Sequence, residues 1–274
     1  MKLLKLFNIK AYNIASATIL CFVLSNYCTI HAQIKPKVLI FSKMTGYVHP
    51  TTPGKVANFT KLLEQHNFSV THTDSTSVFT INALKEYATL IFIDNSGDLF
   101  TDQQRAALVK YINNGGGWVG IHATSTAELD WEWFDGLVGA RFKGHPWFQN
   151  GTVTIKNTKH PIVKKLPKSW HREDEWYYWT KPIKKVTVLL EIGETRWYGD
   201  DIIQEHRSGI IPKKHIPKKN TPESVIPPHP IAWCHKYDGG RAFYTAMCHF
   251  EETMIEPEIA QLLLNAIRWT AKLK

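Results

Sequence analysis

The first half of the sequence alternates short apolar segments with segments of helical periodicity, and this alternation constrains the fold more than any other feature. Lys37–Ser42, Ala88–Asp94 and Trp118–His122 have the continuous apolar character of strands that are buried on both faces. Phe68–Thr73 is a further strand candidate. Strands that alternate with helices predict an α/β fold with a parallel, right-handed, doubly wound sheet.

The helices between these strands carry recognisable start and stop signals. Thr52 is expected to cap the first helix, with Pro53 at its first position. A short helix is expected over Ile81–Glu86. Thr101 and Gln104 form a capping-box pattern, and the helix that they begin must end at the glycines that start with Gly115.

The second half of the chain has a different pattern. A short helix is expected near Trp131–Phe134, and the final helix is expected over about 257–272. The two strands on either side of the turn Asp238–Gly240 form a hairpin, so antiparallel strands should extend the sheet. The strands predicted in this half are Thr152–Lys156, Val186–Glu191, Ile231–His235 and Ala242–Ala246.

Residues 1–32 have the features of a signal peptide. They contain three lysines, no acidic residue and an apolar run over Ile14–Leu24, which is too short to span a bilayer. We therefore expect an exported protein, periplasmic or extracellular, with cleavage after Ala32 and no membrane span once the segment is removed. Residues 37–273 are then expected to form one domain.

The two cysteines of the mature chain are not expected to pair. In the predicted hairpin, Cys234 lies opposite about Phe243, five residues before Cys248, which is too far for a disulfide.

A basic, proline-rich segment over 206–230 interrupts the second half. The formal charge of +9 falls to +6 without the three lysines of residues 1–32, and this segment, with five basic residues and one acidic residue, supplies +4 of that total. The segment is expected to be an insertion or a lid. A single charged loop does not make a nucleic-acid surface, so no nucleic acid is expected as a partner.

Several polar residues follow predicted strands and should therefore meet at one edge of the sheet. His49, Asp94, His122 and His249 each come after a different strand. Because the carboxyl ends of parallel strands form the ligand-binding crevice of open α/β sheets, we expect these residues to share a site. His145, Asp174 and Glu175 lie in the irregular middle of the chain, which could fold over this edge.

Two kinds of chemistry are compatible with these residues. His49, His122 and His249 are candidate ligands for a divalent metal such as zinc, although no short-range ligand motif is present. Without a metal, His122 or a carboxylate, Glu175 or Asp174, would serve as the general acid or base. The sequence alone does not choose between these alternatives.

The aromatic residues indicate a substrate class. All ten tryptophans lie outside residues 1–32, and tryptophan and tyrosine rings stack on the apolar faces of sugars. Trp131, Trp147, Trp176 and Tyr177 are the candidates for such stacking. His49, His145 and His249 would bind the sugar hydroxyls. The predicted ligand is therefore a small carbohydrate.

Residues 37–272 resemble the ThuA-like, or trehalose utilisation, family. The resemblance rests on Gly46–His49, Gly116–His122, Gly144–Pro146, Asp174–Tyr177 and the stretch from Pro230 to His249. It implies a flavodoxin-like fold related to class I glutamine amidotransferases. His122 stands where those enzymes have the nucleophilic cysteine, so no glutaminase activity is expected, since imidazole cannot form the glutamyl thioester.

The family resemblance implies a role in bacterial disaccharide or glycoside catabolism, including that of 3-keto sugars. Our first hypothesis is an exported carbohydrate-active enzyme: a hydrolase, a lyase or an isomerase. The alternative is a non-catalytic sugar-binding protein, in which the histidines only donate hydrogen bonds. The oligomeric state is left open.

Overall fold

A nine-stranded mixed sheet forms the centre of the unit that spans Pro36–Lys274 in the computed structural model. The structure describes residues 35–146, 148–180, 183–197 and 224–273. The strands are β1 (Lys37–Phe41), β2 (Ser69–Thr73), β3 (Thr89–Ile93), β4 (Ser96–Gly97), β5 (Gly117–Ile121), β6 (Thr126–Ala127), β7 (Phe142–Gly144), β8 (Gln149–Ile155), β9 (Ser169–Asp174), β10 (Tyr178–Trp179), β11 (Thr187–Ile192), β12 (Thr195–Trp197), β13 (Ser224–Ile226), β14 (His229–Tyr237) and β15 (Gly240–Thr245). The helices are α1 (Thr52–Gln65), α2 (Ile81–Leu84), α3 (Asp102–Asn113), α4 (Glu132–Val138) and α5 (Pro257–Thr270).

The strand order of the sheet is β2-β1-β3-β5-β15-β14-β11-β8-β9. The strands from β2 to β15 pair in parallel, whereas β14, β11, β8 and β9 add to the sheet in antiparallel fashion. The expectation of an α/β fold, mostly parallel at first and antiparallel later, is confirmed. Each residue of β3 and β5 is buried, as the continuous apolar character of these strands predicts.

The start of α1 differs from the prediction. Thr51, and not Thr52, is its N-cap, and it makes no capping bond through its side chain. The Thr52 hydroxyl instead donates to a carboxylate oxygen of Asp94 at 2.6 Å. A long-range polar contact therefore replaces the local one. By contrast, the predicted capping box of Thr101 and Gln104 at the start of α3 is confirmed.

Several boundaries in the second half also differ. Residues 169–174 form β9 at the edge of the sheet, although the sequence suggested no strand there. The hairpin of β14 and β15 places Cys234 opposite Phe243 as expected, and both Cys234 and Cys248 are free thiols.

Part of the expected insertion over 206–230 belongs to the fold. β13 pairs with β12, and β14 begins at His229. Residues 206–223 lie outside the described residues, as does the expected signal peptide. Among the helices of the described ranges, none has the length and apolar character needed to cross a membrane.

Candidate functional site

The carboxyl ends of four adjacent parallel strands converge on one edge of the sheet. His49 lies in the loop after β1, Asp94 directly after β3, His122 directly after β5, and His249 after β15. The order β1-β3-β5-β15 brings these ends side by side. The structure therefore brings together the residues that the sequence placed at strand ends.

His122 sits at a strained turn between β5 and a short 3-10 helix. Its φ is +55°, a region that bulky side chains rarely occupy. The hydroxyl of Tyr244 donates to the His122 carbonyl at 2.6 Å, and the Nδ1 of His122 lies 2.9 Å from the carbonyl of Ala246. Since a carbonyl only accepts, Nδ1 carries the proton and Nε2 presents a lone pair.

The loop that carries His49 is fixed by contact with β4. The backbone N–H groups of Thr45 and Gly46 both donate to the carbonyl of Ser96, and the Ser96 hydroxyl donates to the carbonyl of Tyr47. Gly97 has a φ of +72°, and a Cβ on it would lie 2.5 Å from the nitrogen of Gly46. Only a residue without a side chain allows this approach of the two loops.

Three buried imidazoles form the centre of the site. His49, His122 and His249 each offer a nitrogen, and these atoms all lie within 4.8 Å of one another. The Nδ1 of His249 is 3.2 Å from the Nε2 of His122. Among the residues that the structure describes, the buried Nδ1 of His49 and Nε2 of His249 have no hydrogen-bond partner. Such orphaned atoms indicate a site built for a ligand or an ion.

The carboxylate of Glu175 lies beside this histidine cluster. Its Oε2 is 3.0 Å from the Nδ1 of His249, 3.5 Å from the Nε2 of His122 and 3.6 Å from the Nε2 of His145. The side chain is only 1% exposed. Glu175 and His145, predicted from the irregular middle of the chain, therefore do fold over the edge of the sheet.

Asp174 has a structural role that its sequence position did not suggest. Its carboxylate accepts hydrogen bonds from the backbone N–H groups of Glu175, Cys248 and His249, and it pairs with Arg172 at 3.0 Å. These contacts occupy both oxygens and tie the segment after β15 to the end of β9. Asp174 is therefore a positioning residue in this structure, and its expected catalytic role stays a prediction.

The aromatic candidates separate into different environments. Tyr177 belongs to the site: its hydroxyl lies 2.9 Å from the Nε2 of His122, and its ring stacks on His145. Trp176 is fully buried and donates to the carbonyl of Gln149, so it has no face for a sugar. Trp131 packs against Trp133, Phe134 and Arg105 instead of the histidines.

Trp147 lies outside the described residues. Besides Tyr177, the histidine cluster has aromatic contacts from residues that the sequence analysis did not select. Phe148 packs edge-on against His249 at 4.7 Å and stacks on Phe250, and Tyr47 packs against His49. Phe250 follows His249 directly and Tyr47 lies two residues before His49, so this closeness in sequence could have identified both aromatic residues.

A buried ion pair lies beneath the site. Lys55 donates to both carboxylate oxygens of Asp94 at 2.9 and 2.8 Å, and both side chains are 0% exposed. Sequence reasoning missed Lys55, although its spacing places it on the same face of α1 as Thr52 and Phe59. Asp94 has a φ of +55°, so this pair also holds a strained turn.

Burial keeps the imidazoles of His49 and His122 neutral. It lowers the pKa of His49 to about 4; Asp94 opposes this effect and Lys55 adds to it. Burial also lowers the pKa of His122 well below its ordinary value, and Lys55 acts in the same direction. Both rings are therefore unprotonated at neutral pH, which is the form that binds metals.

Parallel strands that present three buried histidines and a carboxylate at their ends place these groups where open α/β folds bind their ligands. The chain belongs to the ThuA family, whose model, described as trehalose utilisation, matches residues 37–270. A search of curated proteins gives no match.

Several solved structures share the fold of this chain. A ThuA-like protein from Bacteroides uniformis is 26% identical, with 86% of this chain and 91% of that chain covered and a TM-score of 0.65. A ThuA-like protein from Parabacteroides merdae is 19% identical, with coverage of 86% and 90% and the same TM-score. A cold-adapted β-galactosidase from Rahnella shares the fold over 32% of its length, at 12% identity, 88% coverage of this chain and a TM-score of 0.55.

Proposed function

We propose that this chain is an exported enzyme of disaccharide or glycoside catabolism, with a divalent metal bound by His49, His122 and His249. The observation that carries the proposal is the convergence of three buried imidazole nitrogens within 4.8 Å. Three histidines with one open coordination position are a common ligand set of catalytic zinc. The orphaned nitrogens of His49 and His249 fit this use.

The residues around the three histidines would prepare them for this role. The bond between Nδ1 of His122 and the carbonyl of Ala246 fixes the ring and directs the Nε2 lone pair into the site. The Tyr177 hydroxyl lies 2.9 Å from the Nε2 of His122, so it would be placed to donate to a substrate oxygen beside these histidines.

Glu175 is the proposed acid and base. A zinc-like ion supplies Lewis acidity, which polarises a carbonyl or acidifies a water. Glu175 would accept the proton, either from that water or from the carbon beside a keto group, and later return it. Its burial and its distances of 3.0–3.6 Å from three imidazoles support this assignment. The reaction is thus hydrolysis, elimination or isomerisation of a glycoside, including a 3-keto glycoside.

The description of the family as trehalose utilisation supports the carbohydrate class of the substrate. Tyr47, Phe148 and Phe250 supply aromatic surface beside the histidines, which suits the apolar face of a sugar ring. The composition of residues 1–32 supports export. The parallel order β2-β1-β3-β5-β15 supports the doubly wound, flavodoxin-like arrangement, which we include in the proposal.

Elemental analysis of the purified mature chain, combined with a chromatographic screen of disaccharides and their 3-keto forms, tests the proposal. We expect about one zinc-like ion per chain and conversion of one substrate class. The variant His122→Gln should lose both the bound ion and the activity. The control His66→Gln, at an exposed histidine, should keep the ion and the activity. Binding of a sugar without conversion would favour the non-catalytic alternative. Full activity of His122→Gln would contradict the assignment of His122 to the active site.

A further inference from the structure

A second cavity lies at the opposite end of the β14–β15 hairpin from the histidine cluster. Its volume is about 570 Å³, within the range of small-molecule sites. It lies between α4, the segment before β11, and β14; its lining includes Trp133, Lys184, Lys185, His235, Lys236 and Tyr237. His235 pairs with Ala242 in the hairpin. Ala242 lies four residues before Ala246, whose carbonyl contacts His122 of the histidine cluster. At about 3.3 Å per residue, ~13 Å of strand separates the cavity from the histidine cluster.

His235 supplies a directed polar atom in the cavity wall. The residue is 9% exposed, and its Nε2 lies 3.0 Å from the carbonyl of Gly136. Nε2 must therefore carry the proton, which leaves Nδ1 as an acceptor. That buried Nδ1 has no hydrogen-bond partner among the residues that the structure describes, so His235 leaves an unsatisfied acceptor within the cavity wall.

The charges of the cavity select for an anion. Lys184, Lys185 and Lys236 line the cavity and are exposed, which also leaves it open to solvent. Of the acidic residues in the lining, Asp135 forms an ion pair with Arg141, so only Glu132 opposes the lysines. The rings of Trp133 and Tyr237 lie edge to face at 5.4 Å and provide apolar surface.

We propose that this cavity is a second binding site, and that it takes a saccharide that carries an acidic group. The lysines bind the carboxylate or phosphate, and the aromatic rings of Trp133 and Tyr237 cover an apolar face. The inference does not depend on the metal centre, because the two sites share no residue.

Calorimetric titration of the mature chain tests the proposal. The probes are cellobiouronic acid and cellobiose, which differ only in one carboxylate; glucose 6-phosphate and glucose form a second pair that distinguishes a phosphate from a carboxylate. We expect the acidic member of at least one pair to bind at least ten-fold more tightly than its neutral partner. The binding should weaken as salt is added.

Variants locate the binding. Lys236→Glu should weaken it at least five-fold, whereas Lys61→Glu, an equal change of charge at an exposed site on α1, should leave it unchanged. His122→Gln should also leave it unchanged. Circular dichroism would confirm that the variants fold. The proposal is overturned if neither acid binds at millimolar concentration, if neutral and acidic sugars bind equally, or if only His122→Gln abolishes binding.

Discussion

The Nδ1 atom of His249 lies 3.2 Å from the Nε2 atom of His122, although 127 positions separate the two residues. His122 follows β5 and His249 follows β15, and these strands are neighbours that run in parallel. The pairing of β15 with β5 therefore builds the site, since neither histidine has a partner of this kind within its own segment. Variants that alter this arrangement have definite expected effects.

Replacing Glu175 by Gln should abolish most of the turnover and leave metal binding intact. The amide keeps the shape of the side chain and cannot accept a proton, and loss of a general base costs roughly 10²–10⁴-fold in rate. The measurements are kcat/KM on the substrate found in the screen and metal content by elemental analysis. The control is Glu173→Gln, at the exposed acidic residue two positions before Glu175, and this variant should behave as wild type.

Replacing Asp174 by Asn should destabilise the fold. The carboxylate accepts three backbone N–H bonds and pairs with the buried Arg172, so the substitution weakens those bonds and leaves Glu256 as the remaining charge partner of the guanidinium. Because Glu256 still compensates Arg172, the expected cost in free energy of unfolding is about 1–3 kcal/mol, below the roughly 3–5 kcal/mol of an uncompensated buried charge. Urea denaturation measures the change, and Glu173→Gln should lie within about 0.5 kcal/mol of wild type. An equal stability for both variants would show that Asp174 does not position the segment after β15.

The pair of Lys55 and Asp94 should show strong energetic coupling. Lys55→Met leaves a buried carboxylate without its cation and should cost about 3–5 kcal/mol. The double variant Lys55→Met/Asp94→Leu should cost less than the sum of the two single variants, because it removes both charges. Lys156 and Glu191 form an exposed pair at 2.9 Å, for which Lys156→Met should cost less than about 1 kcal/mol. Additive effects at Lys55 and Asp94 would contradict the coupling.

The two thiols should resist alkylation in the native state. Burial raises the pKa of Cys234 to about 12 and that of Cys248 to about 12. At pH 8.5 the folded thiols are protonated and inaccessible, whereas unfolded thiols ionise near pH 8.5. The stability that protonated thiols supply is therefore present below about pH 8.5 and is lost as the pH rises toward 12.

Mass spectrometry after iodoacetamide treatment at pH 8.5 checks this prediction on the mature chain. We expect two alkylated cysteines in guanidinium and none in the native protein. Rapid native modification without loss of circular dichroism would show that a thiol is accessible.

The sequence by itself determined the strands of the sheet apart from β9, and it placed four polar residues at the edge of the sheet. The apolar runs of β3 and β5 and the capping box of α3 are local signals, and local interactions dominate where such elements begin and end. The sequence predicted that His49, Asp94, His122 and His249 lie together, because parallel strands end at a common edge of the sheet. The register of the predicted hairpin also indicated that Cys234 and Cys248 lie too far apart for a disulfide.

Only the tertiary structure decided how these residues are used. Asp174 positions backbone groups because β9 joins the sheet at its far edge, and no local pattern encodes that pairing. Trp176 is a core residue, whereas its neighbour Tyr177 contacts His122. Thr52 donates to Asp94 in place of capping its helix. In each case, burial and contacts between distant segments outweigh the local preference, and a one-dimensional pattern carries no record of which distant groups will meet.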